Sequence, residues 1–170
     1  MQKILFLALA LTSMTLTSCD KNAKVSENNG GEATEAEVKG TAVEGDNYTF
    51  TLPEGLTGEN NPLGFNARCA EDNADLSVAF NEGGPTESQL KDAMANWSMM
   101  KKNGGETVEE AKVDGGIATL RSVKDGKVSE FFLVVLDGTK GISGTLSFPE
   151  DKAEKYEAVL MPMLKSFKLK

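Results

Sequence analysis

The hydrophobic pattern is densest between residues 127 and 148, where two apolar runs flank a short polar turn. The first run, residues 128–136, has apolar side chains on both faces of a strand, so both faces need to be covered. The second run, residues 142–148, alternates apolar and polar residues, which is typical of a half-buried strand. The Asp-Gly-Thr-Lys-Gly turn between them favours a hairpin. We therefore predict that this antiparallel hairpin lies at the centre of the core.

Shorter alternating runs predict more strands before this hairpin. They occupy residues 48–52, 65–70, 75–80, 107–113 and 117–123. Residues 38–43 also fit a weakly patterned edge strand. Turn-forming Gly, Asn and Asp residues separate these runs, and the Asp-Gly pair at residues 125–126 is a strong tight-turn signal.

A helix is predicted to begin at Thr86, which forms the capping-box pattern with Gln89 three residues later. It is predicted to end at the Asn-Gly-Gly sequence of residues 103–105. Met94 and Trp97 lie on its apolar stripe, so we expect both side chains in the core. The alternative is a sticky binding surface formed by Trp97 and the methionines near it, since methionine adapts to varied partners.

A second helix is predicted after Pro149, where a proline and two acidic residues suit a helix start. Its apolar stripe continues at helical spacing through Phe167 to the end of the chain. Pro162 interrupts this stripe, and an interior proline costs a helix about 3 kcal/mol. We therefore predict a kink or a restart near residues 160–161.

The first 19 residues have the pattern of an export signal. Lys3 precedes an apolar run at residues 4–11, which is too short to span a bilayer. Residues 16–19, Leu-Thr-Ser-Cys, resemble a bacterial lipobox, in which the cysteine becomes the lipidated first residue of the mature chain. We therefore predict a lipoprotein signal peptide and lipidation at Cys19. The alternative is an ordinary cleaved signal peptide in which Cys19 has no function.

Residues 20–46 contain no aromatic residue, leucine or isoleucine. Such a segment buries too little apolar surface to offset its ordering entropy, so it predicts a disordered acidic tether before a globular domain at residues 47–170. Asp20 resembles an inner-membrane retention signal of enteric bacteria, but acidic residues at this position resemble a surface-export signal in other bacteria. We expect a lipid-anchored protein of the bacterial cell envelope, on the periplasmic side or on the cell surface.

The formal net charge of −8 disfavours binding to nucleic acid, and also binding to anionic lipid through a basic face. The chain has no histidine, which removes the commonest general base and the commonest metal ligand. The remaining carboxylate, lysine, tyrosine and cysteine side chains form no recognisable catalytic motif. We expect no catalytic residues, no cofactor and no metal site, and the acidic turn at residues 72–75 lacks the spacing of a calcium loop.

Two other sets of side chains, a cysteine and a pair of glutamates, have reactive groups. Cys69 has no disulfide partner if Cys19 is lipidated, and it lies on the apolar side of a strand. We expect it to be a small buried hydrophobic side chain rather than a reactive thiol. Glu109 and Glu110 would be the carboxylates of a hydrolase, but adjacent strand residues point to opposite faces, so we do not expect them to converge on one substrate.

Four features, in this order, resemble the PsbP-like family. They are the sequence Tyr-Thr-Phe-Thr-Leu-Pro-Glu-Gly at residues 48–55, the helix that contains Trp97, the apolar hairpin, and Leu-Lys-Ser-Phe-Lys at residues 164–168. That family also includes Ran-binding Mog-type proteins and many bacterial lipoproteins. The resemblance, which spans roughly residues 46–170, implies an α+β fold in which helices pack on both faces of an antiparallel β-sheet, an α/β/α sandwich. It implies no catalytic residues, because members act mainly by binding other proteins.

The leading hypothesis is a non-enzymatic, lipid-anchored envelope protein that binds an envelope protein partner or assists assembly at the membrane. The alternative is a lipoprotein that binds a small ligand or metabolite in a pocket between sheet and helix, with Trp97 and Tyr156 as candidate contacts. Neither hypothesis requires a cofactor or a nucleic acid.

Overall fold

The central hairpin is present in the structure, a computed structural model that describes residues 39–170. Its two strands belong to a large antiparallel sheet, and a smaller sheet and two helices accompany it. The predicted signal peptide, Cys19 and residues 20–38 of the predicted tether lie outside the described residues. No helix within residues 39–170 is long and apolar enough to cross a membrane.

Strands and helices follow one another along the described chain. The strands are β1 (Gly40–Glu44), β2 (Tyr48–Pro53), β3 (Thr57–Asn61), β4 (Gly64–Cys69), β5 (Ala74–Asn81), β6 (Thr107–Val108), β7 (Lys112–Asp114), β8 (Ile117–Lys124), β9 (Lys127–Asp137), β10 (Lys140–Pro149) and β11 (Lys168–Leu169). The helices are α1 (Leu90–Asn103) and α2 (Ala153–Lys165), which follow 3₁₀ turns at Glu87–Gln89 and Glu150–Lys152. The larger sheet has the strand order β3-β4-β5-β10-β9-β8-β6, with β7 also paired to β8, and the smaller sheet has the order β1-β2-β11.

Strand β9 lies in the interior of the larger sheet, between β8 and β10. On one face, Phe131 and Leu133 share a hydrophobic cluster with buried residues of α1. On the other face, Phe132 and Val134 belong to a core that includes residues of α2 and of the smaller sheet. The prediction that residues 128–136 are covered on both faces is confirmed. The fold is α+β, with antiparallel sheets and two helices, and the smaller sheet is an addition to the predicted architecture.

Helix α1 follows the capping box predicted for its N-terminus. The Gln89 Oε1 accepts a hydrogen bond from the backbone N–H of Thr86 at 3.0 Å. Met94 is fully buried, and the half-buried Trp97 stacks on Phe131 with ring centroids 3.9 Å apart. Both side chains pack in the core as predicted, whereas the other two methionines of the helix are exposed.

The smaller sheet uses two segments at the borders of the predicted domain. β1 corresponds to the predicted edge strand. It lies within the segment predicted to be a tether, and it pairs with β2 of the globular domain. The second helix was predicted to continue to the chain end, but α2 ends at Lys165 and β11 pairs with β2. The Thr51 N–H donates a hydrogen bond to Ser166 Oγ at 2.9 Å, and the Phe167 ring stacks on Phe50 at 4.6 Å. These contacts with β2 favour an extended chain end over a longer helix.

Two further local features differ from the predictions, and a third excludes one of two predicted alternatives. The strand predicted at residues 107–113 is two short strands, β6 and β7, that pair separately with β8. The pattern did not predict β3, because Thr57–Asn61 contains no apolar residue and is a strand through its pairing with β4. Of the kink or restart predicted at Pro162, the restart is absent, because α2 continues through the proline as one helix, with the buried Leu160 and Met163 on either side of it.

Asp72, in the turn between β4 and β5, is a buried carboxylate held by the start of α2. Its Oδ2 accepts hydrogen bonds from the Lys155 ammonium group and, at 2.9 Å, from the Tyr156 hydroxyl. Its Oδ1 lies 3.3 Å from Lys152 Nζ. These contacts, of which the Lys155 hydrogen bond is the strongest, hold the pKa of Asp72 well below its usual range. The neighbouring Cys69 is buried in the core, as predicted.

We expect Asp72→Asn to lower stability at neutral pH and to lose this effect in acid. Because the folded-state pKa of Asp72 is depressed, its carboxylate stabilises the fold above the pKa of an unfolded aspartate, about 4. This stabilisation declines as the pH falls below that value. The urea midpoints of wild type and variant should therefore converge between about pH 5 and pH 2.

The matched control is Asp137→Asn, an exposed carboxylate at the end of β9. Its urea midpoint should follow that of the wild type across the same pH range. A difference between wild type and Asp72→Asn that is as large in acid as at neutral pH would contradict the prediction, because the asparagine would then be acting through its shape rather than its charge.

Candidate binding site

A concave site lies between the outer strands of the larger sheet and α2, and it has a volume of about 540 Å³. The charged residues that line it are Arg121, Lys112, Glu109, Glu110, Asp114, Glu130 and Glu157. Thr119 and an apolar strip of Ile117, Leu160 and Met161 complete the lining. We call this site the Arg121 cleft.

Strand alternation and register bring these side chains together. Ile117, Thr119 and Arg121 lie on one face of β8. Glu130 on β9 is the cross-strand neighbour of Arg121. Helix α2 supplies Glu157 from the layer that covers this face of the sheet. The cleft is therefore assembled from segments that are far apart in the sequence.

Arg121 contacts three carboxylates of the cleft. Its Nη1 contacts Glu157 and lies 3.7 Å from Glu130 Oε1, and its Nε lies 3.1 Å from Glu109 Oε1. The Nε is buried and makes no hydrogen bond, because the Glu109 oxygen is within ion-pair distance but outside the direction of the N–H. The guanidinium group therefore has charge partners but incomplete hydrogen bonding.

Glu130 is a buried acid in this cleft, with 6% of its surface exposed. Within residues 39–170 its side chain makes no hydrogen bond, and its ion-pair contact is the Arg121 guanidinium group. Burial raises the pKa of Glu130, and the positive charge of Arg121 opposes this rise. A carboxylate with little solvent contact and no hydrogen bond is costly, so this carboxyl group favours a proton or an additional donor.

The structure places the two predicted contact residues away from the cleft. Trp97 stacks on Phe131 in the cluster on the α1 side of the sheet. Tyr156 is buried, donates its hydroxyl hydrogen bond to Asp72 and stacks on Phe148 with ring centroids 5.1 Å apart. A cavity between sheet and helix does exist, but neither aromatic residue lines it. Both residues lie on the apolar stripes of their helices, and their side chains pack in the core.

The prediction that the Glu109 and Glu110 side chains point to opposite faces of a strand is wrong. Both residues line the Arg121 cleft, because the chain between β6 and β7 is not a continuous strand and does not alternate between faces. Sequence reasoning missed Arg121 and Glu130. Each is a single charged residue within an otherwise apolar strand pattern, and their pairing becomes visible only when the register of β8 and β9 is known.

A second concave surface, of about 620 Å³, lies on the α1 side of the larger sheet, over β3, β4, β5 and β10. Its polar lining consists of Thr57, Glu59, Asn66, Arg68, Asp75, Ser77, Thr145 and Ser147. The ion pair between Arg68 and Asp75, at 3.6 Å, is exposed and contributes little. The Arg121 cleft is the stronger candidate site, because its carboxyl group at Glu130 is buried and lacks a hydrogen bond.

Antiparallel sheets with two helices in this arrangement form an α+β fold similar to PsbP and Mog1. No protein-family model and no curated protein matches the chain. The likeness is to solved structures of low sequence identity, and it shows the fold alone.

Three of these structures define the likeness. Cyanobacterial PsbP (CyanoP) from Synechocystis sp. PCC 6803 is 17% identical with a TM-score of 0.55, over 84% of this chain and 98% of that chain. The Ran-binding protein Mog1p of Saccharomyces cerevisiae is 15% identical with a TM-score of 0.55, over 78% of this chain and 96% of that chain. A single-residue mutant of protein Mog1 is 15% identical with a TM-score of 0.56, over the same shares of the two chains.

Proposed function

We propose that the chain is a lipid-anchored protein of the bacterial cell envelope that binds a protein partner and catalyses no reaction. The Arg121 cleft is the observation that carries the binding role, because it is a charged cavity between sheet and helix whose hydrogen bonding is incomplete. The fold supports this role, since a structure of similar fold is that of a Ran-binding protein. The partner is an envelope protein, because the predicted signal peptide exports the chain.

The chemistry of the cleft favours binding over catalysis. Arg121 contacts Glu109, Glu130 and Glu157, so these carboxylates are engaged in ion pairs. A general acid or base acts on a proton of the substrate or of an attacking water, and it needs a position that is free for that contact. The described geometry instead fits recognition of a charged group.

The membrane anchor is proposed from the lipobox resemblance at residues 16–19 and from the acidic segment after it. Acyl chains contribute about 0.8 kcal/mol per buried methylene, so several chains on Cys19 anchor the protein stably where one chain would be marginal. The tether is the part of the chain that would hold the domain away from the lipid. Its last residues, from Gly40, pair with β2 and belong to the packed domain.

Cys19→Ser is expected to abolish acylation and to move the protein from the membrane fraction to the soluble fraction. The measurement is labelling with radioactive palmitate in a bacterial host, followed by fractionation. Cys69→Ser is the matched control, because it removes the buried cysteine of β4 and leaves the lipobox intact. Palmitate that remains on the Cys19→Ser protein would contradict the proposed anchor.

The proposed partner is tested by crosslinking the lipidated protein in its native envelope and identifying what is captured. Capture should depend on the cleft, so Glu110→Arg, at an exposed cleft position, should abolish it. Glu154→Arg, an exposed position on α2 that does not line the cleft, should leave it unchanged. Reproducible capture of no partner, or equal capture by both variants, would overturn the proposal.

A second candidate function is the capture of a small ligand. The volume of the cleft, about 540 Å³, is within the range of small-molecule sites. A ligand that binds only the folded state raises the melting temperature by an amount that grows with the ratio of its concentration to its Kd, so a thermal-shift screen of envelope metabolites tests this function. A metabolite that stabilises the wild type but not Glu110→Arg would favour it.

A further inference from the structure

We propose that the Arg121 cleft binds a basic side chain of the protein partner, an arginine guanidinium or a lysine ammonium group. This inference rests on the proposed binding function and specifies the chemistry of its contact. Five acidic and two basic side chains line the cleft, which gives it a formal net charge of −3. That excess attracts a cation and repels a phosphate or carboxylate ligand.

Arg121 does not neutralise every carboxylate of the cleft. It contacts three of the five, whereas Glu110 and Asp114 make no ion pair within residues 39–170. Both of these residues are exposed, and the Glu157 side chain is 44% exposed. An incoming cation therefore meets accessible negative charge before it reaches the interior of the cleft.

Glu130 is the second, independent observation that points to a ligand with several donors. Its side chain is more than nine-tenths buried, lines the cleft, and within the described chain accepts no hydrogen bond. A guanidinium group carries five N–H donors and an ammonium group carries three. Either group supplies the hydrogen bond that Glu130 lacks and still faces the exposed carboxylates, whereas a neutral apolar side chain would leave the buried carboxyl group unsatisfied.

The lining also favours an organic cation on a longer chain over a bare ion. No group of three or more acidic or cysteine side chains in residues 39–170 is arranged to hold a metal ion. Ile117, Leu160 and Met161 form an apolar strip that suits the methylene stem of lysine or arginine. A volume of about 540 Å³ exceeds what one side chain fills, so the cleft has room for the flanking residues of a protein segment.

The test uses amide NMR spectra of the mature protein in detergent. The probe is an acetylated, amidated Gly-Gly-Arg-Gly-Gly peptide, and its control replaces the arginine with citrulline, which has the same shape and no charge. We expect the arginine peptide to shift the amide signals of residues around Arg121 and Glu157, and the citrulline peptide to leave them in place. Shifts of equal size with both peptides, or shifts confined to other surfaces, would overturn the inference.

A matched pair of variants separates the cleft from the overall negative charge of the protein. Glu157→Gln removes a cleft carboxylate, and Glu154→Gln removes an exposed carboxylate three residues earlier on the same helix. We expect Glu157→Gln to weaken peptide binding about tenfold, which corresponds to about 1.4 kcal/mol, and Glu154→Gln to leave it unchanged. Spectra with the dispersion of the wild type establish that each variant is folded. Equal losses in the two variants would show non-specific attraction and would contradict the inference.

Free agmatine, a small molecule with the same guanidinium group, distinguishes the source of the cation. Binding of the peptide at least as tight as that of agmatine supports a protein side chain, whereas agmatine binding that is tighter by tenfold would reassign the cleft to a free amine. Failure of the peptide together with cleft-dependent crosslinking would reject this inference and leave the proposed function standing. Peptide binding without any captured partner would overturn the proposed protein partner, and would show only that the cleft binds a cation.

Discussion

Replacing Phe132 with alanine is expected to lower the free energy of unfolding by about 3 to 5 kcal/mol. Phe132 is 0% exposed on the central strand, and its cross-strand neighbour on β10 is Gly144. The ring lies directly over that glycine, since a Cβ built on Gly144 would be 2.3 Å from the ring. Truncation therefore leaves a cavity at a position where the neighbouring strand has no side chain to fill it, and the surrounding sheet relaxes little.

Urea unfolding followed by the fluorescence of Trp97, the chain's one tryptophan, measures this loss. Trp97 is a suitable reporter because it stacks on Phe131, the residue before the substitution, from the opposite face of the sheet. Leu63→Ala is the control, because Leu63 is 86% exposed and its truncation should change stability by no more than about 0.5 kcal/mol. A loss of less than about 1 kcal/mol for Phe132→Ala would mean that β9 is not the centre of the core.

Replacing Arg121 with methionine is expected to cost about 3 kcal/mol at neutral pH, and the further change Glu130→Gln is expected to recover most of that loss. Methionine keeps much of the apolar stem of Arg121 but removes the charge that faces the buried Glu130. Removing one partner of a buried ion pair leaves the other charge uncompensated, which is where most of the cost arises. Removing both charges avoids that penalty.

The pH dependence of the Arg121→Met variant follows from the raised pKa of Glu130. An acid whose folded-state pKa is raised destabilises the fold when it is ionised, and this penalty disappears as the pH falls towards the pKa of an unfolded glutamate, about 4.3. The difference in unfolding free energy between wild type and Arg121→Met should therefore be largest near neutral pH and should shrink in mild acid. The opposite trend would show that Glu130 is not the carboxyl group responsible.

A double-mutant cycle measured by urea unfolding, once near neutral pH and once in mild acid, gives the coupling energy between Arg121 and Glu130. Arg68→Met is the matched control, because Arg68 forms an exposed ion pair with Asp75 at 3.6 Å. That substitution should cost no more than about 1 kcal/mol. If the effects of Arg121→Met and Glu130→Gln simply add, the two side chains are not energetically coupled, which would contradict the prediction.

Local signals predicted the elements whose formation is decided by neighbouring residues. The two-faced apolar run at residues 128–136 requires cover on both sides, and the structure provides it. The capping box at Thr86 and the tight turn before β9 likewise depend on a few adjacent residues, and both are present. Asp125 and Gly126 adopt φ values of 51° and 73°, as such a turn requires.

Predictions failed where a distant partner decides the conformation. The polar residues Thr57–Asn61 have no alternating pattern, and they form a strand because they pair with β4. The chain after Lys165 fits a helix by its spacing, but its contacts with Thr51 and Phe50 on β2 make it extended. In both segments the tertiary contact outweighs the local preference, because local preferences amount to less than about 1 kcal/mol per residue.

By itself, the sequence determined the antiparallel hairpin core, the two helices and the exclusion of histidine chemistry, because each depends on composition or on spacing between near neighbours. The Arg121 cleft was decided only by the tertiary structure. The three carboxylates that contact Arg121 come from the break between β6 and β7, from β9 and from α2, and only the register of β8 with β9 and the packing of α2 bring them to one arginine. Charge pairs of this kind leave no periodic trace in a sequence, since Coulomb attraction depends on distance in space and not along the chain.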